Sequence, residues 1–291
     1  MPGTESTYHE LRNRLELNPN DFTAIKDLGN FYYKNEDYNK ALEYYSRAIN
    51  IKPDWEIPYY NSGNTYFKLN EYPRAIEYFK KAVALKPDYL KAYFNLGLAC
   101  YRINRLEEAS FYFSKTLEID NKCLDAYVNL GTVLRELSAY DKAIDAFNMA
   151  CKLDPTDPDI YYNLGNIYND QENYSKAIEQ YSKCIELDPF DSRAHNNLAD
   201  SYLKVGRLQE AMESIEKALQ LTPDQAAAHC TRGEIFKEMG NYSYALIEFR
   251  KVFPNARNLP FLTQYVKDLI EEVIELMKRN APSNGGGGTH F

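Results

Sequence analysis

Apolar residues return along the chain with two periods at once, a short one of three to four residues and a long one of 34. The stretch 92–98, Ala-Tyr-Phe-Asn-Leu-Gly-Leu, comes back at 126–132, 160–166 and 194–200, and in looser form from Ala24, Pro58 and Ala228. Units 22–55, 56–89, 90–123, 124–157, 158–191, 192–225 and 226 to about 253 follow one another without a gap. A fixed period of this size marks a repeat array, one body in which each unit touches its neighbours. In the first half of a unit, a large residue at position four (Ile25, Tyr59, Tyr93, Tyr127, Tyr161, His195, His229), usually Leu at seven, and Gly at eight share one helix face. In the second half, Ala at position 20 (Ala41 through Ala245) and a large residue four later (Tyr45, Phe79, Phe113, Phe147, Tyr181, Ile215, Phe249) predict a second helix.

Glycine inside a helix costs roughly 1 kcal/mol relative to Ala. Its return at Gly29, Gly63, Gly97, Gly131, Gly165 and Gly233 therefore predicts close approach of the two helices of a unit. Pro53, Pro87, Pro155, Pro189 and Pro223, at position 32, end the second helix. The acids Asp54, Asp88, Asp157, Asp191 and Asp224 that follow are expected to cap the next one. Residues 1–21 place Leu11, Leu15 and Leu17 at helical spacing behind Thr4 and Ser6, up to Asn18-Pro19-Asn20, and predict an N-terminal capping half-repeat. Beyond unit seven, Pro254 and Pro260 bracket a break, and residues 254–280 predict a capping helix of about 20 residues with a wide apolar stripe. The same stripe would suit a helix-mediated dimer, and residues 281–291, with Gly285 to Gly288, read as a flexible tail.

This spacing of Tyr, Leu, Gly, Tyr, Ala, Phe and Pro resembles the tetratricopeptide repeat over residues 22 to about 253. Position four lacks Trp throughout, Asn121 stands for proline in unit three, and Ala199 stands for glycine in unit six. The resemblance implies an all-α, right-handed superhelical solenoid of about seven helix-turn-helix units whose first helices line a concave groove. Positions 2, 5, 6, 9, 12 and 13 of each unit would face it. That implies a protein-binding adaptor or scaffold, taking an extended peptide or C-terminal tail.

In units one to three those positions are basic and aromatic: Lys26, Lys34, Lys68, Lys91 and Arg102 with Tyr33, Tyr60, Phe67, Phe94 and Tyr101. In units four and five they carry Asp125, Glu136, Asp159 and Asp170, a change of sign that would orient a ligand. Position six is Asn in Asn61, Asn95, Asn129, Asn163 and Asn197, although Asn is a poor mid-helix residue. A row of amides suits the backbone of an extended peptide, as in the repeat region of the O-linked N-acetylglucosamine transferases, which the array resembles; each Asn bonding the adjacent repeat accounts for the row equally. Lys26, Asn30, Asn61 and Lys91 resemble the carboxylate clamp of chaperone-binding repeats, with Asn64 beside them and Asn95 where the last basic residue would stand. The resemblance implies an acidic C-terminal tail as partner and a co-chaperone-like role.

A formal charge of −8 and a pI near 5.2 argue against nucleic-acid binding. No window suits a membrane span or a signal peptide, so a cytoplasmic protein is expected, monomer or dimer. Cys100, Cys123, Cys151, Cys184 and Cys230 have neither zinc-site nor disulfide-framework spacing. His195, His229 and Cys230 occupy repeat positions that packing explains, and no phosphate-binding loop is present. No enzyme activity, cofactor or metal is expected. The alternatives are an assembly subunit that oligomerises through the C-terminal helix or convex face, and the substrate-recruiting part of a larger enzyme system.

Overall fold

A computed structural model describes residues 2–256 and 258–280, with side chains from residue 7 onward. The expected flexible tail 281–291 lies outside the described residues, as do the side chains of Thr4 and Ser6. Among these residues the chain is all α, with sixteen helices and no strand. Two compact units divide it, Met1–Asp154 and Pro155–Phe291.

In the first unit, α1 (Pro2–Leu17) precedes four antiparallel pairs: α2 (Phe22–Lys34) with α3 (Tyr38–Ile51), α4 (Glu56–Lys68) with α5 (Tyr72–Leu85), α6 (Leu90–Arg102) with α7 (Leu106–Ile119), and α8 (Leu124–Glu136) with α9 (Tyr140–Leu153). The second unit holds α10 (Pro158–Asp170) with α11 (Tyr174–Leu187), α12 (Ser192–Lys204) with α13 (Leu208–Leu221), α14 (Ala226–Glu238) with α15 (Tyr242–Asn255), and a final α16 (Pro260–Asn280).

Each pair closes on one glycine. A Cβ built on Gly97 would stand 2.6 Å from Phe113 Cε1, so only a residue without a side chain lets the Phe113 ring lie flat on α6. Unit six reaches contact differently: Ala199 faces Ile215, both fully buried, so an added methyl on one helix goes with a smaller side chain on the other. Successive pairs share apolar clusters, such as Phe79, Leu96, Cys100, Phe113 and Val133. At the C-terminal end Val266, Leu269 and Val273 of α16 pack on Phe249 and Val252 of α15, while Phe261, Ile274 and Met277 stay exposed.

Two local expectations are corrected. The cap position is 34, so Asp157 and Asp191 accept from the first turns of α10 and α12, as Asp21 does for α2. Asp54, Asp88 and Asp224 stand one residue too early, and Trp55, Tyr89 and Gln225 take the cap position without a side-chain bond. Pro254 lies inside the last turn of α15, so the break begins only at Ala256, because a proline this late sacrifices a single helix bond.

The turn between the helices of a pair runs through one left-handed residue at position 15: Glu36, Asn70, Asn104, Ser138 and Glu172 at φ 57–62°, Gly206 and Gly240 at 75–76°. Glu172 N donates to Asn169 O and Asn173 N to Tyr168 O, closing the end of α10. An L-residue held left-handed costs roughly 1–2 kcal/mol, less for Asn. Glu172→Gly is therefore expected to raise stability by about 0.5–1 kcal/mol after glycine's larger loss of chain entropy, and Asn70→Gly to change it little; urea denaturation midpoints check both.

Candidate functional site

The first helices of the unit Met1–Asp154 carry most of the groove residues expected from sequence. Position nine supplies Asn30 and Asn64, position six Asn61 and Asn95, and these four meet in pairs. Asn61 Nδ2 donates to Asn30 Oδ1 at 2.9 Å, and Asn95 Nδ2 donates to Asn64 Oδ1 at 2.7 Å and to the Tyr60 hydroxyl at 3.3 Å. Asn30 Oδ1 also accepts from the Tyr45 hydroxyl at 2.8 Å, and burial pushes that phenol well above its ordinary pKa. The second unit repeats the motif: Asn197 Nδ2 donates to Asn166 Oδ1 at 3.0 Å, and the Tyr181 hydroxyl donates to the same oxygen at 2.8 Å.

Where position nine of the preceding repeat is not Asn, the pair does not form. Leu98 cannot accept, and Asn129 Nδ2 turns back to Asp125 O at 2.7 Å in its own helix. In the second unit Asn163 Nδ2 donates to Asp159 O at 2.7 Å, in its own helix. The row thus contains two kinds of residue: Asn61, Asn95 and Asn197 tie consecutive first helices together, while Asn129 and Asn163 serve their own turns. Asn166, Tyr45 and Tyr181 were missed from sequence. The signal that could have found them is an Asn at position nine followed by an Asn 31 residues later.

The aromatic residues also have places in the framework. Tyr33 meets Tyr38 edge-on with centroids 5.6 Å apart, Phe67 meets Tyr72 at 5.2 Å, Tyr60 lies against Tyr89 at 4.9 Å, and Phe94 against Phe113 at 5.7 Å. The Tyr101 hydroxyl donates to Glu136 at 2.5 Å. All five rings remain half-buried, so each shows an edge to solvent. At the junction of α2 and α4 an open cavity of about 250 Å³ is lined by Asn30, Tyr33, Lys34, Tyr45, Asn61 and Asn64.

The four residues of the clamp-like set are differently engaged. Lys26 is ion-paired with Asp27 and lies over the Trp55 ring, 5.9 Å from its centroid. Asn30 and Asn61 bond each other. Lys91, Lys68 and Arg102 are exposed and have no ion pair among the described residues. Of the acids expected to reverse the sign of the groove, Glu136 holds Tyr101, and Asp159 pairs with Arg193 at 3.1 Å.

In the second unit two further groove acids stand at position nine, Asp200 and Glu234. Lys204 lies 3.9 Å from Asp200, and the Tyr265 hydroxyl donates to Glu234 at 3.1 Å. Burial raises both carboxyls above their ordinary pKa, with Lys204 opposing it.

His195 and His229 fill the slot that Tyr holds elsewhere, and the bonds show why the two types exchange. The Tyr59 and Tyr161 hydroxyls donate to Pro53 O and Pro155 O, while Nε2 of His195 and of His229 meets Pro189 O and Pro223 O at 3.1 and 2.8 Å. A ring of either type thus reaches the carbonyl of the position-32 proline. His229 Nδ1 also meets Glu248 Oε2 at 2.8 Å, and Arg232 and Lys251 bond the same carboxylate. Burial alone would raise Glu248, but the hydrogen bonds from Lys251, His229 and Arg232 hold it below the usual carboxylate range. Burial pushes the Cys100, Cys184 and Cys230 thiols up, Cys100 to about 11 and Cys184 to about 12. Among the described residues no group of three or more His, Cys, Asp or Glu is placed to hold a metal, and no helix is long and apolar enough to cross a membrane.

The sequence model of the cilia and flagella-associated protein 70 C-terminal domain matches residues 9–232. No curated protein matches the sequence. Among solved structures, YrrB, described as a tetratricopeptide protein with an unusual peptide-binding site, is 27% identical, with a TM-score of 0.56 over 63% of this chain and 95% of its own. MamA is also 27% identical, with a TM-score of 0.56 over 59% and 93%. A tetratricopeptide repeat protein from Parabacteroides merdae, 17% identical, shares the fold over 87% of this chain and 98% of its own, with a TM-score of 0.64.

Proposed function

We propose, for a chain that belongs to the family of the cilia and flagella-associated protein 70 C-terminal domain and is built of tetratricopeptide repeats, a scaffold that holds an extended segment of a partner protein along its first helices. It acts by binding, without catalysis or cofactor. The observation that carries this reading is the junction of α2 and α4, where two tyrosine rings, a cation and three amides line an open cavity of about 250 Å³. Such a surface offers an extended chain apolar contact from Tyr33 and hydrogen-bonding groups for its backbone. The peptide-binding site described for YrrB supports the same use of the fold. Asn30 and Asn61 already bond each other and Asn30 Nδ2 also donates to Asp27, so each contributes to a ligand only what those bonds leave over: the second Asn61 N–H and its oxygen, and the remaining Asn30 N–H.

Affinity capture from the native cell tests the proposal. Wild type is compared with Tyr33→Ala/Phe67→Ala on the first helices and with Lys81→Ala on a second helix, circular dichroism confirming that each is folded. A partner lost by the first variant and kept by the second is the expected result. Retention of every partner by both variants rules the first-helix face out.

A further inference from the structure

Several second-helix cations of the unit Met1–Asp154 are paired with acids. On the second helices, Arg74, Lys81 and Lys115 each pair with a carboxylate of their own helix or its cap at 2.7–2.9 Å, and Lys80 reaches Glu108 at 3.4 Å. On the first helices Lys26 pairs with Asp27. Lys34, Lys68 and Arg102, all at position 13, are exposed and have no ion pair among the described residues. A cation in the last turn suits the helix dipole wherever it stands, so position alone says little. The contrast lies in the surroundings: in the second unit the last-turn cations are neutralised, Lys204 by Asp200 at 3.9 Å and Lys237 by Glu272 at 3.1 Å. The row in the first unit is left uncompensated in a chain whose net charge is −8.

Each cation of the row follows a half-buried ring, Tyr33, Phe67 or Tyr101. The row also has an end. Position 13 of α8 is Glu136, which accepts the Tyr101 hydroxyl and would repel an acid placed beyond Arg102. The Asn61–Asn30 and Asn95–Asn64 bonds show α2, α4 and α6 to be consecutive neighbours. Helices in such contact lie about 8–10 Å apart, and an extended chain in the polyproline II form rises about 3.1 Å per residue with three residues per turn, so one repeat spans about three residues of ligand and every third side chain returns to the same face.

We infer that Lys34, Lys68 and Arg102 receive an internal acidic segment of a partner protein, extended, with carboxylate side chains three residues apart. This rests on the first-helix reading above and narrows it. Charge complementarity is the argument for the occupant: three exposed cations without acids, set at the step of an extended chain, within an acidic protein. A free chain terminus is not required. Of the side chains that would grip one, Lys26 is engaged by Asp27 and Asn30 by Tyr45 and Asn61, which leaves Lys91, and Asn95, where a further cation would be needed, bonds Asn64.

The test uses fluorescein-labelled peptides and anisotropy on the whole chain. The probe is Glu-Ala-Ser-Glu-Ala-Ser-Glu with an amidated C-terminus, beside the same peptide with a free carboxylate and one with Gln in place of each Glu. The expected result is binding of the two Glu peptides within about twofold of each other, at least tenfold weaker binding of the Gln peptide, and loss of binding by Lys34→Glu/Lys68→Glu/Arg102→Glu with unchanged circular dichroism. Lys81→Glu on a second helix leaves binding intact. Equal binding of the Gln peptide, undiminished binding by the triple variant, dependence on the free carboxylate, or no binding of the Glu peptide up to millimolar concentration each overturns the inference. Should the Glu peptide fail while cellular capture still depends on Tyr33 and Phe67, the acidic segment is wrong and the groove reading stands. Should capture be indifferent to those rings, the groove reading has failed by itself.

Discussion

Gly97→Ala is expected to destabilise the protein, although alanine is the better helix former by about 1 kcal/mol. The new Cβ would lie 2.6, 2.7 and 2.9 Å from three atoms of the Phe113 ring, which is fully buried and has no free volume to move into. Overpacking of this kind costs about 1–3 kcal/mol, and here it must first cancel the gain in helix propensity, so the strain itself is larger than the measured loss. Phe113→Ile is expected to cost about 2–4 kcal/mol by itself, through lost ring contacts and the void left against α6. Together the two changes recreate the Ala199–Ile215 pair of unit six, which is fully buried without a glycine. The double variant should therefore lose less than the sum of the single changes, with a coupling of about 1–3 kcal/mol. Urea denaturation of the four proteins measures it. Simple additivity would mean that the glycine is conserved in the array for a reason other than contact with the ring.

The second large effect is expected at Glu248. Its side chain is 7% exposed and bonds the side chains of His229, Arg232 and Lys251. Glu248→Ala strands His229 and Arg232 in the interface of α14 and α15, and removing one partner of a buried ion pair costs about 3–5 kcal/mol. In unit five the corresponding residues are Tyr161, Leu164 and Gln180. The triple variant His229→Tyr, Arg232→Leu, Glu248→Gln is accordingly expected to be at least as stable as the native chain, because apolar replacement of a whole buried ion set is often neutral or favourable. The two behave differently with pH. The Glu248 carboxyl is held below its unfolded value, so its contribution is fully present above the unfolded carboxylate range and is lost as pH falls through the depressed folded value. Thermal melts between pH 7 and pH 3 should show that component in the native chain and its absence in the triple variant. An unchanged acid profile would place the acid sensitivity elsewhere.

The ion set and the amide pairs were hard to read for the same reason. Arg232 occupies a position that Leu fills in most units, and Glu248 one that holds Tyr in units one to three and Ala, Gln and Ser in units four to six, so each looks like ordinary variation between repeats. Only the packing of α14 on α15 shows that the two exceptions, with His229, answer one another. Asn61 was visible as a member of a row, but its bond depends on Asn30, 31 residues earlier, and position nine showed no uniform row of its own. The clamp-like set was legible as a group of residue types, while the ion pair between Lys26 and Asp27 depends on rotamers that spacing does not specify.

The features that sequence alone determined are those repeated at fixed spacing within a unit: the helix pairs, the glycine beneath the aromatic ring, and the proline that follows most pairs. Their cause is local, since each needs only the 3.6-residue period and contact between two helices joined by a short turn. Tertiary structure decided what depends on the neighbour: which amides are engaged and which cations stand without an acid. Those outcomes turn on groups about one repeat apart in sequence that meet only when consecutive first helices lie side by side, and no periodicity along the chain records whether the partner there can accept a proton.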